Sequence, residues 1–174
     1  TVLVSASHAG EDNAMAAAWA CALDFAPPKV TVVLDKATRT RALVEGSGFF
    51  ALQLPTVPMA ALTKALGTDS AVDMPDKLQR HGVQLFAAPG WPEVPLVPGC
   101  AAWMVCRLIA EPHNQQAYDL FIGEIVAAWA DERVFSAGHW TFDTAPAELR
   151  TLHYVAGGQF YAIGASIHVG LPGP

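Results

Sequence analysis

The sequence predicts a mainly β fold: a small closed barrel of six or seven strands, mostly antiparallel neighbours, with short helices at its periphery. Three observations carry that expectation. The β-branched run Lys29-Val30-Thr31-Val32-Val33-Leu34 is the clearest strand in the chain. Two long strand-like runs, residues 101–111 and 118–131, are joined by turn residues around Asn114, as in an antiparallel hairpin. A doubly wound parallel sheet would need helices of ~10 residues or more between most strands, and these are absent. At 174 residues the chain has the length of one domain, expected to span residues 1–174.

Taken in order, Val2, Leu3 and Val4 form a first strand, leading into the turn formers His8 to Asn13. The natural N-terminus is expected to lie further upstream, because the chain opens directly on this strand. Residues 14–23 are rich in alanine, which favours helix. They sit between a hairpin-like turn and Pro27-Pro28, however, so they are read as a strand of small residues whose backbone something flat can approach closely. Thr38 to Leu43 fit a short helix closed by Gly46 and Gly48. Phe49 to Leu54 returns to strand and stops at Pro55. Residues 58–80 read as mostly short helix, with Asp73 and Asp76 as an N-terminal cap, Pro75 in the first turn and Gly82 at the end. Residues 84–99 read as a proline-rich connection. A last pair of strands, residues 151–155 and 159–167, flanks Gly157-Gly158.

Composition narrows the function. Apolar types make up 52% of the chain, enough for a substantial core. Charged types reach only 15%, against ~25% in an average soluble domain. So few charges coat a sphere poorly, and another subunit is expected to cover part of the surface. The net charge of −6, with only ten scattered basic residues, argues against nucleic acid as a partner. Cys21, Cys100 and Cys106 lie in apolar runs and read as buried reduced thiols, which points to the cytoplasm. The apolar stretch 94–106 is too short to span a bilayer and is broken by Pro95 and Pro98, so no membrane partner is expected.

Common catalytic signatures are missing. Gly46-Ser47-Gly48-Phe49-Phe50-Ala51 matches a dinucleotide fingerprint in spacing, but it runs from helix into strand, the reverse of the required context. The six histidines have no spacing that sets two ligands on one helix face, and no metal site is expected. Thr38-Arg39-Thr40-Arg41 places hydroxyls and guanidinium groups at a helix start, where backbone N–H groups already favour an anion. Thr68, Ser70 and Lys77 form a second such cluster. Both read as ordinary caps and solvated charges, or more sharply as a phosphate cradle. Trp19 among Ala16, Ala17, Ala18 and Ala20 is either a core aromatic or the border of a planar ring, and Phe160 and Tyr161 beside Gly157-Gly158 pose the same choice.

Together these segments resemble the flavin reductase-like family of FMN-binding split barrels, which includes flavoredoxin. The resemblance lies in Asn13-Ala14-Met15-Ala16-Ala17-Ala18-Trp19, in Pro27 to Leu34, in Thr38 to Val44 and in Gly48 to Pro55. It continues through Asp76-Lys77, Cys106-Arg107-Leu108 and Leu120 to Val126. It covers nearly the whole chain in the right order.

The resemblance implies a Greek-key split barrel that forms a homodimer, with FMN near the subunit interface. Asn13 and Trp19 would then contact the flavin ring, with Ala14, Met15, Ala16, Ala17 and Ala18 lending backbone. Thr40, with Thr38 and Arg39, would hold the phosphate or ribityl chain, and Lys77 would add positive charge. Phe160 or Tyr161 would close over the ring. Gln53 stands where relatives commonly have Asn at a ribityl or backbone contact. Thr68-Asp69-Ser70-Ala71 replaces a Ser-Gly-Arg, leaving Ser70 as a candidate ligand and Asp69 as a repulsive neighbour unless it points away. The implied activity is hydride transfer from NADH or NADPH to flavin, in which the cofactor supplies the reactivity and no catalytic side chain stands out. Two other readings remain open here: an FMN electron carrier serving a protein partner, and a binding module with a repurposed pocket.

Overall fold

The computed structural model describes residues 1–170. Its strands are β1 (Val2–His8), β2 (Glu11–Ala17), β3 (Ala20–Phe25), β4 (Pro28–Val33), β5 (Phe49–Leu54), β6 (Phe86–Ala88), β7 (Trp91–Leu96), β8 (Ala102–Ile109), β9 (Leu120–Ala130), β10 (Phe135–Ser136), β11 (His139–Trp140), β12 (Leu152–Ala156) and β13 (Gln159–Ala162). The helices are α1 (Arg39–Ser47), α2 (Ala60–Thr68), α3 (Lys77–Arg80) and α4 (Pro112–Tyr118).

Seven strands form one antiparallel sheet in the order β2-β1-β5-β8-β9-β4-β3, and the remaining strands pair as three two-stranded ribbons. The outermost strands of the sheet, β2 and β3, are consecutive in the chain and separated only by Ala18 and Trp19. The Val33 amide donates to the Trp19 carbonyl at 3.0 Å, tying that bend to β4. Side chains from distant strands meet in one core that includes Val4, Val32, Phe50, Cys106 and Phe121, with Leu43 and Val44 of α1. Strands so far apart in the sheet order share a core only if the sheet curls around it. Gly123 in β9 makes room inside the curl: a Cβ there would lie 2.5 Å from Phe50 Cζ.

The outer face is covered too, which is why Val2 to Ala6 are buried on both sides of β1. Leu3 and Ala14 pack under α2 and Val97, while Ala51 and Val105 pack under the β6–β7 ribbon. The mainly β class and seven-stranded sheet agree with the expectation. Several local readings need correction. Residues 14–23 are not one strand but two, broken at Ala18-Trp19. The turn around Asn114 is α4, with Pro112 in its first turn. Pro75 and Asp76 precede α3, and the Asp76 carboxylate caps nothing; it accepts from Arg80 at 2.8 Å. Residues 84–99 hold the β6–β7 ribbon, whose prolines are tolerated because a two-stranded ribbon is all edge. Cys21 is exposed on β3 rather than buried. Cys100 and Cys106 are buried as expected, and burial pushes both thiols up to about 12.

Candidate functional site

The site begins where β4 ends. Asp35 organises the chain reversal: its carboxylate accepts from the Ala37 amide at 2.7 Å, and its carbonyl accepts from both the amide and the hydroxyl of Thr38. Thr38 occupies the N-cap position of α1 in extended geometry, yet its hydroxyl turns back to Asp35 and makes no capping bond. The first N–H groups of α1 therefore have no side-chain cap, and a nine-residue helix presents its positive end to the cleft beside it. Gly48, at φ 75°, ends the helix by donating to the Val44 carbonyl.

The two arginines of this helix do different things. Arg41 turns away from the cleft, donating to Asp119 at 2.5 Å, to the Gln115 carbonyl at 2.8 Å and to Glu45 at 3.0 Å. It anchors α1 to α4 and β9. Arg39 lines the cleft, but Glu11 of β2 takes its guanidinium in a two-pronged pair, with one bond of 2.7 Å. Asn13, also on β2, donates from Nδ2 to Thr40 Oγ1 at 3.0 Å. Both residues are buried, and the Thr40 hydroxyl proton has no acceptor among the described residues.

These groups form one wall of a cleft of about 280 Å³. The opposite wall is the end of α2 and the chain after it, contributing Gly67, Thr68, Asp69, Ser70 and Ala71. Lys77 closes the floor at 2% exposure. Its Nζ donates to the carbonyls of Leu66 at 3.2 Å and Asp69 at 2.9 Å, two of its three donors. Burial holds Lys77 below the ordinary lysine pKa, against the opposing charge of Asp69.

A second cleft, of about 180 Å³, adjoins the first through Gly67 and Thr68, which line both. Ala16 and Ala18 supply one side, Thr63 and Lys64 of α2 another, and Tyr154 and Phe160 of the β12–β13 ribbon the third. Here α2 lies very close to β2: a Cβ on Gly67 would sit 3.1 Å from Ala16 Cβ. Thr63 Oγ1 is buried in this region and has no hydrogen-bond partner among the described residues.

The structure thus gathers Asn13, Met15, Thr38, Arg39, Thr40, Ser70 and Lys77 at the first cleft, and Ala16, Ala18 and Phe160 at the second. Ala14 and Ala17 lie between them in β2 with their side chains in the two cores. Three expected residues are elsewhere. Trp19 is 74% exposed and lines neither cleft, and Tyr161 is likewise exposed. Gln53 is fully buried under residues 95–97, accepting from the Val97 amide at 2.6 Å and donating to Ser5 at 2.8 Å. Those two bonds use the amide to pin the covering segment, away from both clefts. Asp35, Thr63, Lys64, Gly67 and Tyr154 were not anticipated; only Gly67, a glycine inside a helical run, carried a signal of close approach. Among the described residues, no three His, Cys, Asp or Glu side chains come together to hold a metal ion, and no helix is long and apolar enough to cross a membrane.

Known proteins resemble this chain over nearly its whole length. Residues 1–160 match the family described as "Flavin reductase like domain". An uncharacterized protein of Escherichia coli (strain K12), YddH, is 39% identical over 173 residues, covering 98% of this chain and 89% of that protein. The crystal structure of an FMN-binding domain of flavin reductases-like enzyme from Shewanella baltica OS155 superposes with a TM-score of 0.95 at 59% identity, covering 98% of this chain and 88% of that one. Flavoredoxin of Desulfovibrio vulgaris (Miyazaki F) superposes with a TM-score of 0.78 at 23% identity, over 96% of this chain and 87% of its own, a likeness of fold.

Proposed function

The chain belongs to the flavin reductase-like family, and from that premise we propose that it holds FMN across the two adjoining clefts and reduces it with NADH or NADPH. The residues present fit the group. A phosphate needs N–H and O–H donors and positive potential, and the first cleft offers the uncapped start of α1, the hydroxyls of Thr40 and Ser70, and the Lys77 ammonium. A fused ring needs flat, small-walled space, which Ala16, Ala18 and Phe160 border in the second.

Bound FMN would supply the two-electron redox chemistry; the protein's part is placement. Asn13 holds the Thr40 hydroxyl in place through its amide, so that the hydroxyl proton remains to donate. Lys77 ties the two sides of the α2–α3 loop to one another while its charge faces the cleft. Alanines at positions 16 and 18 leave the backbone of β2 and of the bend after it approachable, where a nicotinamide and a flavin must lie against each other. The observation that carries the reading is the buried Asn13–Thr40 bond at an uncapped helix start, because it uses the Thr40 hydroxyl as an acceptor and leaves its proton available to donate, beside a cleft that already favours an anion.

A homodimer belongs to the same reading. Trp19, just before the edge strand β3, and Leu23 and Phe25 on it are 74%, 51% and 98% exposed, an apolar strip that a monomer would leave in water.

The test is an FMN titration of the purified protein, followed by anaerobic mixing of the loaded protein with NADH or NADPH. Submicromolar to micromolar binding and bleaching of the visible flavin band by either nucleotide is the expected result. Tight FMN that neither nucleotide bleaches, but that a chemical reductant does, would instead indicate a carrier serving a protein partner. Absence of FMN binding would overturn the reading.

A further inference from the structure

The first cleft has a charge problem. The cations lining it are Arg39 and Lys77, and the acids lining it are Asp35 and Asp69. Arg39 is already held by Glu11, so its charge is largely matched before any ligand arrives. Asp35 binds the Ala37 amide through its carboxylate. Lys77 alone would then face both a phosphate and Asp69. A carboxylate free to swing beside a phosphate would repel it.

Asp69 is not free. Its Oδ2 lies 2.7 Å from His81 Nε2, and its backbone carbonyl accepts from Lys77 Nζ at 2.9 Å. Residues 77 and 81, four apart, therefore hold the same residue at two points, one by its main chain and one by its carboxylate. His81 does not line the cleft itself. It stands behind Asp69, and the pair is only about a quarter to a third exposed, at 26% and 30% for the two side chains.

We infer that His81 is a positioning residue for phosphate recognition: by clasping the Asp69 carboxylate it keeps a repulsive charge out of the phosphate space, and so sets the preference for a phosphorylated flavin over an unphosphorylated one. The inference rests on the FMN reading above. The penalty for losing His81 falls on the phosphate and not on the ring.

The experiment is a double-mutant cycle read by flavin binding, with FMN and riboflavin titrated into the wild-type protein and into His81→Ala, Asp69→Asn and the double variant. His81→Ala is expected to weaken FMN by about tenfold while riboflavin changes by less than about twofold, because only FMN carries the charge that an unclasped Asp69 opposes. Asp69→Asn is expected to bind FMN at least as well as wild type. In the double variant, FMN affinity is expected to return to the Asp69→Asn level, since without a carboxylate the clasp has no task. Equal weakening of both flavins in His81→Ala, or a double variant no better than His81→Ala, would overturn the inference and leave His81 a packing residue. Wild-type protein that binds riboflavin and FMN equally would overturn it while leaving flavin binding intact. Failure to bind either flavin would overturn the cofactor reading and this inference together.

Discussion

Thr63 and Lys77 show how single side chains at the site trade stability for recognition. A buried hydroxyl without a partner costs about 1–3 kcal/mol, and Thr63 Oγ1 is such a group. Valine keeps the branched shape and removes the orphan. Thr63→Val should therefore raise the melting temperature of the ligand-free protein while shrinking the rise that FMN or a pyridine nucleotide produces, as a thermal-shift assay would show. Lys77 gives a pH dependence whose sign follows from burial. Its folded pKa is depressed, so between that value and the ordinary lysine value the unfolded chain binds more protons, and ligand-free stability rises with pH across that window. A nearby phosphate favours the charged form and opposes the depression. FMN affinity should thus fall as pH climbs through the depressed Lys77 value, and a Lys77→Met variant should bind more weakly with that part of the pH dependence lost. A flat affinity profile in wild type from neutral to alkaline pH would remove Lys77 from the phosphate. At this scale the sequence was legible where residue type and local context sufficed, as for Thr38, Thr40 and Lys77. The Asp69–His81 clasp and the fate of Gln53 depend on contacts made in three dimensions, and no local pattern marks them.

Among elements, the close approach of α2 to β2 shapes both clefts, since Gly67 and Thr68 belong to each. Gly67→Ala sets two effects against each other. Alanine favours the helix by up to about 1 kcal/mol. The new methyl, 3.1 Å from Ala16 Cβ, must push the helix back by a few tenths of an ångström, with overpacking costs that begin near ~1 kcal/mol. Stability should change little, because these terms are of similar size and opposite sign. FMN affinity should drop, because the displaced wall is common to both clefts. Unchanged affinity would mean that the ligand does not feel the α2–β2 spacing. The strand pattern was readable because alternation and β-branched runs survive in β4, β5, β8 and β9. The α4 helix was not, since residues 112–118 are polar and carry no apolar stripe to reveal a helical period. The break at Ala18-Trp19 was hidden for a similar reason: alanine on both sides of a bend gives no change of period.

For the whole molecule, the question is what covers β3. Its chain neighbour β2 sits at the other edge of the sheet, so among the described residues β3 presents an unpaired edge and an apolar strip together. Burying one phenylalanine is worth about 1.5–3 kcal/mol, and in a symmetric pair the strip is buried twice. Phe25→Glu should therefore convert a dimer to a monomer by light scattering. Cys21 on the same strand provides a second readout that needs no substitution. It is the exposed thiol, whereas Cys100 and Cys106 stay protonated well above neutral pH and are shielded. If two copies meet along β3, alkylation of Cys21 should slow as protein concentration rises through the dimer dissociation constant, and Phe25→Glu should restore the fast rate at every concentration. A rate independent of concentration, in a protein that scatters as a dimer, would place the interface on another face and separate the assembly from this strip.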